Sequence, residues 1–214
     1  MIKLVIFELD GTLFNSIADL AKACNEALFH YGLPTHDESA YHYFVGNGIE
    51  KLIEKALPKD YSQETYENVH RYFMNYYIAH TYDLTRPYKN ITKLLEILKN
   101  KNIMMAVASN KFVEGVRKLV SHFFPNIEFI MVQGKSEDIP TKPNPLMVEQ
   151  IIEKAHVNRN KILYLGDTSI DMKTAKRVNV KAIGVSWGFR TREELIASGA
   201  DIIIDDPLEI LEML

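Results

Sequence analysis

This 214-residue chain has a single cysteine, a single tryptophan and only a small excess of acidic over basic residues. With Cys24 alone, no intramolecular disulfide can form, which is the usage of a reducing compartment. Cys24 lies in "ADLAKACNEALFHYG", where helical spacing buries it, so a core thiol is expected there, not a reactive one. The formal charge of -3 supplies no basic field and gives a nucleic-acid partner no electrostatic support. No apolar run approaches the roughly 18 residues that a spanning helix needs. The run in "MIKLVIFELD" is too short, and too soon followed by acids, to act as a signal peptide. A soluble, cytoplasmic protein with no membrane partner is the expectation. No internal repeat or low-complexity segment is apparent.

What is present is a regular alternation. "LVIF" opens the chain, and "IMMAVAS" (103–109), "FIMVQG" (129–134), "ILYLGD" (162–167), "KAIGVS" (181–186) and "DIIIDD" (201–206) are further short apolar runs. Between the later runs lie segments with helical spacing, such as "NITKLLEILKN" and "NPLMVEQIIEKA". Strands that are apolar throughout and separated by helices predict a parallel sheet covered on both faces. In such sheets ligands bind beyond the carboxyl ends of the strands. The polar residues that close each strand are therefore the candidate site.

Residues 16–84 read differently. The segments "IADLAKACNEALFHYG", "GNGIEKLIEKAL" and "SQETYENVHRYFMNYYIAHTY" are helical in pattern, and no strand-like run interrupts them. Nine of the 11 tyrosines, Tyr31 through Tyr82, lie here, as expected of a small bundle that fills its core with amphipathic aromatics. The predicted organisation is an α/β core of residues 1–15 and 85–214, with residues 16–84 as an all-helical insertion. His30, His36, His42, His70 and His80 lie in or beside that insertion without metal-ligand spacing, and are expected to pack or face water. "GNG" at 46–48 follows no strand and lacks a third glycine, so it is no dinucleotide loop.

The strand ends supply Glu8 and Asp10, then Ser109 with Asn110 and Lys111, then Lys142 in "TKPNP", then Asp167 and Asp171 in "GDTSID". Four carboxylates at one sheet edge repel, so one must be neutralised or a cation must enter. An all-oxygen acidic cluster suits Mg2+. A hydroxyl and a lysine beside it suit an anion, and the combination is what phosphoryl transfer asks for. A carboxylate is then left to act as nucleophile and form an acyl phosphate.

In order and spacing these motifs resemble the haloacid dehalogenase superfamily over essentially the whole chain. "FELDGTLFNS" is similar to its Asp-x-Asp-Gly-Thr-Leu signature, "VASN" to its second motif, "TKPNP" to its third and "LGDTSIDM" to its fourth. The helical insertion resembles the cap of the branch that contains phosphoglycolate phosphatase, as do "FVGNGIEKLIEKAL", "ASNK" and "WGFRTREEL". The resemblance implies a Rossmann-like doubly wound parallel sheet with a small helical cap after the first strand. It implies Mg2+-dependent hydrolysis of a small phosphorylated substrate of the phosphoglycolate type. Position 8 is the implied nucleophile and metal ligand, and Asp10 the general acid and base, with its backbone carbonyl a further metal ligand. Thr12 is implied to place Asp10 and to stand among the phosphate-binding residues with Asn110. Ser109 and Lys142 would bind the phosphoryl group, with Lys142 also orienting position 8. Asp167 would ligate the metal, and Asp171 would support the metal shell or Lys142. Asn47 and Lys51 lie where the cap could reach substrate. Pyrophosphate and sugar phosphates stay open as substrates; a dehalogenase needs neither Asp10 nor the metal.

One residue departs from the pattern. The family's nucleophile is aspartate, and this chain carries Glu8. The extra methylene advances the carboxylate by about 1.3–1.5 Å, where misplacement by about 1 Å can cost on the order of a hundredfold. Three readings follow: an active phosphatase adapted to Glu8, a natural or engineered variant that binds without turning over, and a sensor or interaction protein on a phosphatase scaffold.

Overall fold

The computed structural model describes all 214 residues. Six strands form one parallel sheet: β1 (Leu4–Phe7), β4 (Met104–Phe112), β5 (Met131–Lys135), β6 (Ile162–Gly166), β7 (Lys181–Val185) and β8 (Ile202–Ile204). Their spatial order is β5-β4-β1-β6-β7-β8. β1 is central, in register with β4 (Phe7 with Val107) on one side and β6 (Phe7 with Leu165) on the other. The chain runs outward from β1 through β4 to β5, then crosses back to β6. The crevice where strand order reverses therefore opens at the carboxyl end of β1, which is where α/β sheets of this kind bind ligands.

Strand alternation divides the core in two. Val5, Phe7, Val107, Leu163 and Leu165 face α5 (Ile91–Asn100) and α6 (Val113–Phe123) through Leu94, Leu98, Val116 and Leu119. Leu4, Ile6, Ala106, Ala108, Ile162 and Tyr164 face α7 (Leu146–Ala155) and α8 (Ser169–Arg177) through Met147, Ile151, Met172 and Ala175. A further helix, α9 (Arg192–Ala197), joins that second face through Leu195. Both faces being covered is why the strands read as unbroken apolar runs.

Four helices precede the return to the sheet: α1 (Ile17–His30), α2 (Glu38–Phe44), α3 (Ile49–Ala56) and α4 (Gln63–Ala79). They enclose their own apolar cluster, including Leu20, Cys24, Leu28, Tyr41, Leu52, Phe73 and Tyr77. Cys24 is buried, and burial pushes its thiol pKa up to about 12, so it is an inert core thiol. Of the tyrosines, Tyr41 and Tyr77 are fully buried, while Tyr31 and Tyr43 are exposed, so the bundle core takes only part of the set. No helix is long and apolar enough to cross a membrane.

Three features escape sequence reading. The helix α2 has only 7 residues, too few to display a period. Two strands of 2 residues each, β2 (Phe14–Asn15) and β3 (Arg86–Pro87), pair antiparallel where the chain leaves and re-enters the core. And β4 does not stop at Ser109: it continues to Phe112, with a register shift against β5 between Ala108 and Phe112. A shift of this kind re-aims side chains, and it carries Asn110 and Lys111 into the crevice.

The buried Asp19 of α1 secures the return of the chain. Its carboxylate accepts from Leu84 N at 3.0 Å, from Thr85 N at 2.8 Å and from Thr85 Oγ1 at 2.8 Å. Asp19→Ala leaves these donors unmet and is expected to cost about 3 kcal/mol. The check is the midpoint of denaturant unfolding, which an incidental contact would leave in place.

Candidate active site

The site begins one residue beyond β1. Glu8 N still donates to Leu165 O at 2.9 Å, so its backbone is held to the sheet. The next residues turn tightly, with Thr12, Leu13 and Phe14 N–H groups all directed at Leu9 O. Gly11 has φ 87, and a Cβ there would lie 2.1 Å from Asp167 Oδ2. Glycine at position 11 is thus required twice over, by conformation and by the closeness of Asp167.

Glu8, Asp10, Ser109, Asn110, Lys111, Asp167, Thr168 and Asp171 line one pocket at this edge. Its opposite wall comes from the helical layer: Leu20, Val45, Gly46, Gly48, Ile49 and Leu52. Lys142 is fully buried and meets the pocket through Glu8. Its ammonium pairs with Glu8 Oε2, with Asp171 Oδ1 at 2.8 Å, with Ala108 O at 2.8 Å and with Tyr164 Oη at 3.0 Å. Burial pushes the Lys142 ammonium below its ordinary pKa, and Asp171 opposes that shift. Ser109 Oγ donates to Glu8 Oε1 at 2.7 Å. Both groups implied to hold a phosphoryl oxygen therefore converge on the carboxylate at position 8.

Asp171 has its second oxygen on Thr168, accepting from N at 3.0 Å and Oγ1 at 2.7 Å, the capping box that starts α8. Its first oxygen is the one paired with Lys142.

Several sequence-level assignments are corrected. Thr12 neither faces the pocket nor touches Asp10; its Oγ1 donates to Asp167 Oδ1 at 3.2 Å. The Asn110 side chain is committed to backbone, donating to Gly46 O and Lys142 O at 3.1 Å each and accepting from Lys142 N at 2.6 Å. It holds the lysine loop and the helical layer together, and both of its amide protons are taken. Asn47 and Lys51 are exposed and do not line the pocket. Lys51 sits on the outer face of α3 and pairs with Glu54, so the flanking glycines, Gly46 and Gly48, form the wall instead.

Glu8, Asp10 and Asp167 are not gathered as a side-chain metal triad. No group of three or more His, Cys, Asp or Glu side chains stands close enough to hold a metal ion. The reason is that Lys142 draws Glu8 and Lys111 draws Asp10, the latter at 3.1 Å. The donor chemistry still fits a hard divalent cation. Asp167 is fully buried, held by Thr12 and by Phe189 N at 3.0 Å, with no ion pair to neutralise it. Burial, and then Asp171, push its carboxyl up to about 7. A carboxylate so placed, beside the Glu8 and Asp10 oxygens in one pocket, lacks only positive charge.

The segment Trp187–Arg190 also shapes the site, its backbone packed against Asp167: a Cβ at Gly188 would come within 2.2 Å of it. Arg190 from this segment donates to His42 O and to Val45 O, the latter at 2.9 Å, tying α2 to the sheet edge. Apart from the family likeness of "WGFR", no local sequence signal marks these roles.

A doubly wound parallel sheet with carboxylates and a buried lysine at its switch point, roofed by inserted helices, defines a class of α/β enzymes. The chain belongs to the haloacid dehalogenase-like hydrolase family, whose pattern matches residues 5–185. It is 30% identical over 218 residues to the phosphoglycolate phosphatase of Vibrio parahaemolyticus, covering 99% of this chain and 96% of the relative. Likeness to the phosphoglycolate phosphatase of Aquifex aeolicus is also 30%, over 212 residues, with 99% and 96% covered. The crystal structure of a predicted phosphoglycolate phosphatase from Haemophilus somnus superimposes with a TM-score of 0.92 at 29% identity, covering 99% and 97%.

Proposed function

We propose that this hydrolase is a Mg2+-dependent phosphatase acting on a small phosphomonoester of the phosphoglycolate type, by way of an acyl phosphate on Glu8. The observation that carries the reading is the convergence of Ser109 Oγ and Lys142 Nζ on one carboxylate at the sheet's carboxyl edge. Relatives across the full length bear the name phosphoglycolate phosphatase, which supports the substrate type.

In this reading Ser109 and Lys142 hold the phosphoryl oxygens. A Glu8 oxygen attacks phosphorus, the ester P–O bond breaks, and its electron pair passes to the leaving oxygen, which takes a proton from Asp10. Asp10 then accepts a proton from the water that attacks phosphorus and regenerates Glu8. The Glu8 and Asp167 carboxylates, with the Asp10 backbone carbonyl, would hold Mg2+, which when bound offsets charge on the phosphoryl oxygens. The helical layer excludes water and selects the leaving group. The test is phosphate release from a panel of 2-phosphoglycolate, sugar phosphates and pyrophosphate, with Mg2+ and with chelator. Release from phosphoglycolate with Mg2+ only is expected; release from no phosphomonoester sinks the reading.

A second reading, a slow or inactive phosphate-binding variant serving as sensor or interaction protein, draws on the same observation. Glu8's own carboxylate already takes both donors that an incoming phosphoryl group needs.

The Asp167 carboxyl gives a pH prediction. With no metal bound, the folded chain keeps a proton on Asp167 that the unfolded chain releases near 3.8. The contribution of Asp167 to the stability of the metal-free protein therefore declines as pH rises from about 4 to about 7 and levels off above, and is read as the difference from Asp167→Asn. Millimolar Mg2+ is expected to raise the melting temperature above pH 7. Asp167→Asn should flatten the pH response and abolish the Mg2+ response. A Mg2+ effect that survives in Asp167→Asn places the ion elsewhere.

A further inference from the structure

Lys111, which closes "ASNK", is a buried lysine outside the phosphoryl contacts of Ser109 and Lys142. It lies two residues beyond Ser109, on the extension of β4 that follows the register shift. Its ammonium stands 3.1 Å from Asp10 Oδ2, 3.3 Å from Asp10 Oδ1 and 2.6 Å from Tyr77 Oη. A lysine has three N–H donors, and here all three have partners. Burial works against the Lys111 ammonium, but Asp10 and Tyr77 outweigh it and hold its pKa above the ordinary lysine value.

The two partners come from different layers. Asp10 belongs to the sheet edge and lines the pocket together with Lys111, its side chain being 11% exposed and that of Lys111 2%. Tyr77 belongs to α4 of the helical layer and is fully buried there. Burial pushes the Tyr77 hydroxyl up to about 12, so it stays protonated and offers Lys111 an oxygen lone pair.

A structural ion pair would need no such arrangement. Burying a lysine and an aspartate in one seam gains little over an apolar pair of similar volume. What the three groups achieve is direction: one ammonium grips both oxygens of Asp10, and a hydroxyl from the other layer stops that ammonium from turning. We propose that Lys111, anchored by Tyr77 of α4, is a positioning residue that aligns Asp10 for proton transfer while the helical layer is seated on the sheet. Moving α4 away removes the Tyr77 hydroxyl, and Asp10 then loses its fixed direction. The general acid is thus completed by the same layer that closes over the substrate.

The inference rests on the phosphatase reading, and leaving-group chemistry separates the two. Phosphoryl transfer from 2-phosphoglycolate expels an alkoxide, which needs the Asp10 proton. Transfer from acetyl phosphate expels acetate, which leaves as the anion. Lys111→Met and Tyr77→Phe are to be assayed on both substrates with Mg2+, in the native chain and in Glu8→Asp. Lys111→Met is expected to lower kcat/KM on phosphoglycolate about a hundredfold, within the range of general acid catalysis, and to change kcat/KM on acetyl phosphate less than about threefold, because kcat/KM ends at release of the leaving group and leaves out the water step that both substrates share. Tyr77→Phe, which keeps the packing and removes one oxygen, should show the same selectivity with a loss of about tenfold. Equal losses on both substrates, or none on either, overturn the role of Lys111 and leave the phosphatase reading standing. If neither parent hydrolyses either substrate, the phosphatase reading falls, and the inference with it.

Discussion

Glu8→Asp is expected to raise kcat/KM for a small phosphomonoester at least about tenfold. The reason is that the backbone at position 8 cannot retreat to absorb the longer side chain. β1 is paired on both sides, and Glu8 N is bonded to Leu165 O at 2.9 Å. The extra methylene therefore moves the carboxylate forward, onto Ser109 Oγ and Lys142 Nζ. An aspartate withdraws by about 1.3–1.5 Å, a distance at which in-line geometry changes rate by orders of magnitude. Withdrawal also frees both donors for the phosphoryl group. Steady-state kinetics on the two proteins decide the matter. If Glu8→Asp is equal or slower, Glu8 is an adapted nucleophile, and the slow-variant reading loses its basis.

Lys142→Met should be the most damaging single change to both stability and turnover. Lys142 is the sole ammonium paired with Glu8 and Asp171, and Asp171 is 1% exposed. Removing it leaves two buried carboxylates without a counter-charge, an expected cost of about 3–5 kcal/mol. For a chain of this length that is a fall of roughly 10 °C in melting temperature. Hydrolysis should fall by at least about a hundredfold, as when a preorganised charge is removed from a developing oxyanion. Adding Asp171→Asn to Lys142→Met should recover part of the stability and none of the activity, because it removes a stranded charge without restoring the phosphoryl contact. Thermal melts of the two variants separate these effects. Unchanged stability in Lys142→Met would show that Glu8 and Asp171 are not charged together.

The order of strands and helices was legible because each element carries its own period. "ILYLG" and "KAIGV" are apolar throughout since both faces of the sheet are covered, and the intervening helices show their buried stripes. The residues ending these strands were legible as a site because a doubly wound sheet brings the carboxyl ends together whatever their distance in sequence. That argument yields a neighbourhood and no hydrogen bonds. Contacts across the fold direct the Thr12 and Asn110 side chains to other partners, and Asn47 and Lys51 lie exposed outside the pocket.

By itself the sequence determined the α/β architecture, the helical insertion, which acids and lysines stand near the strand ends, and the anomaly at Glu8. These depend on residue type and local period, which the chain displays along its own length. Only the tertiary structure decided which charges meet. Lys142 reaches Glu8 across 134 positions of sequence, Lys111 reaches Asp10 across 101, and Tyr77 from another layer holds Lys111 in place. Such pairings depend on a register shift in β4 and on how α4 seats against it. No local pattern encodes either, because each is the outcome of many packing contacts at once.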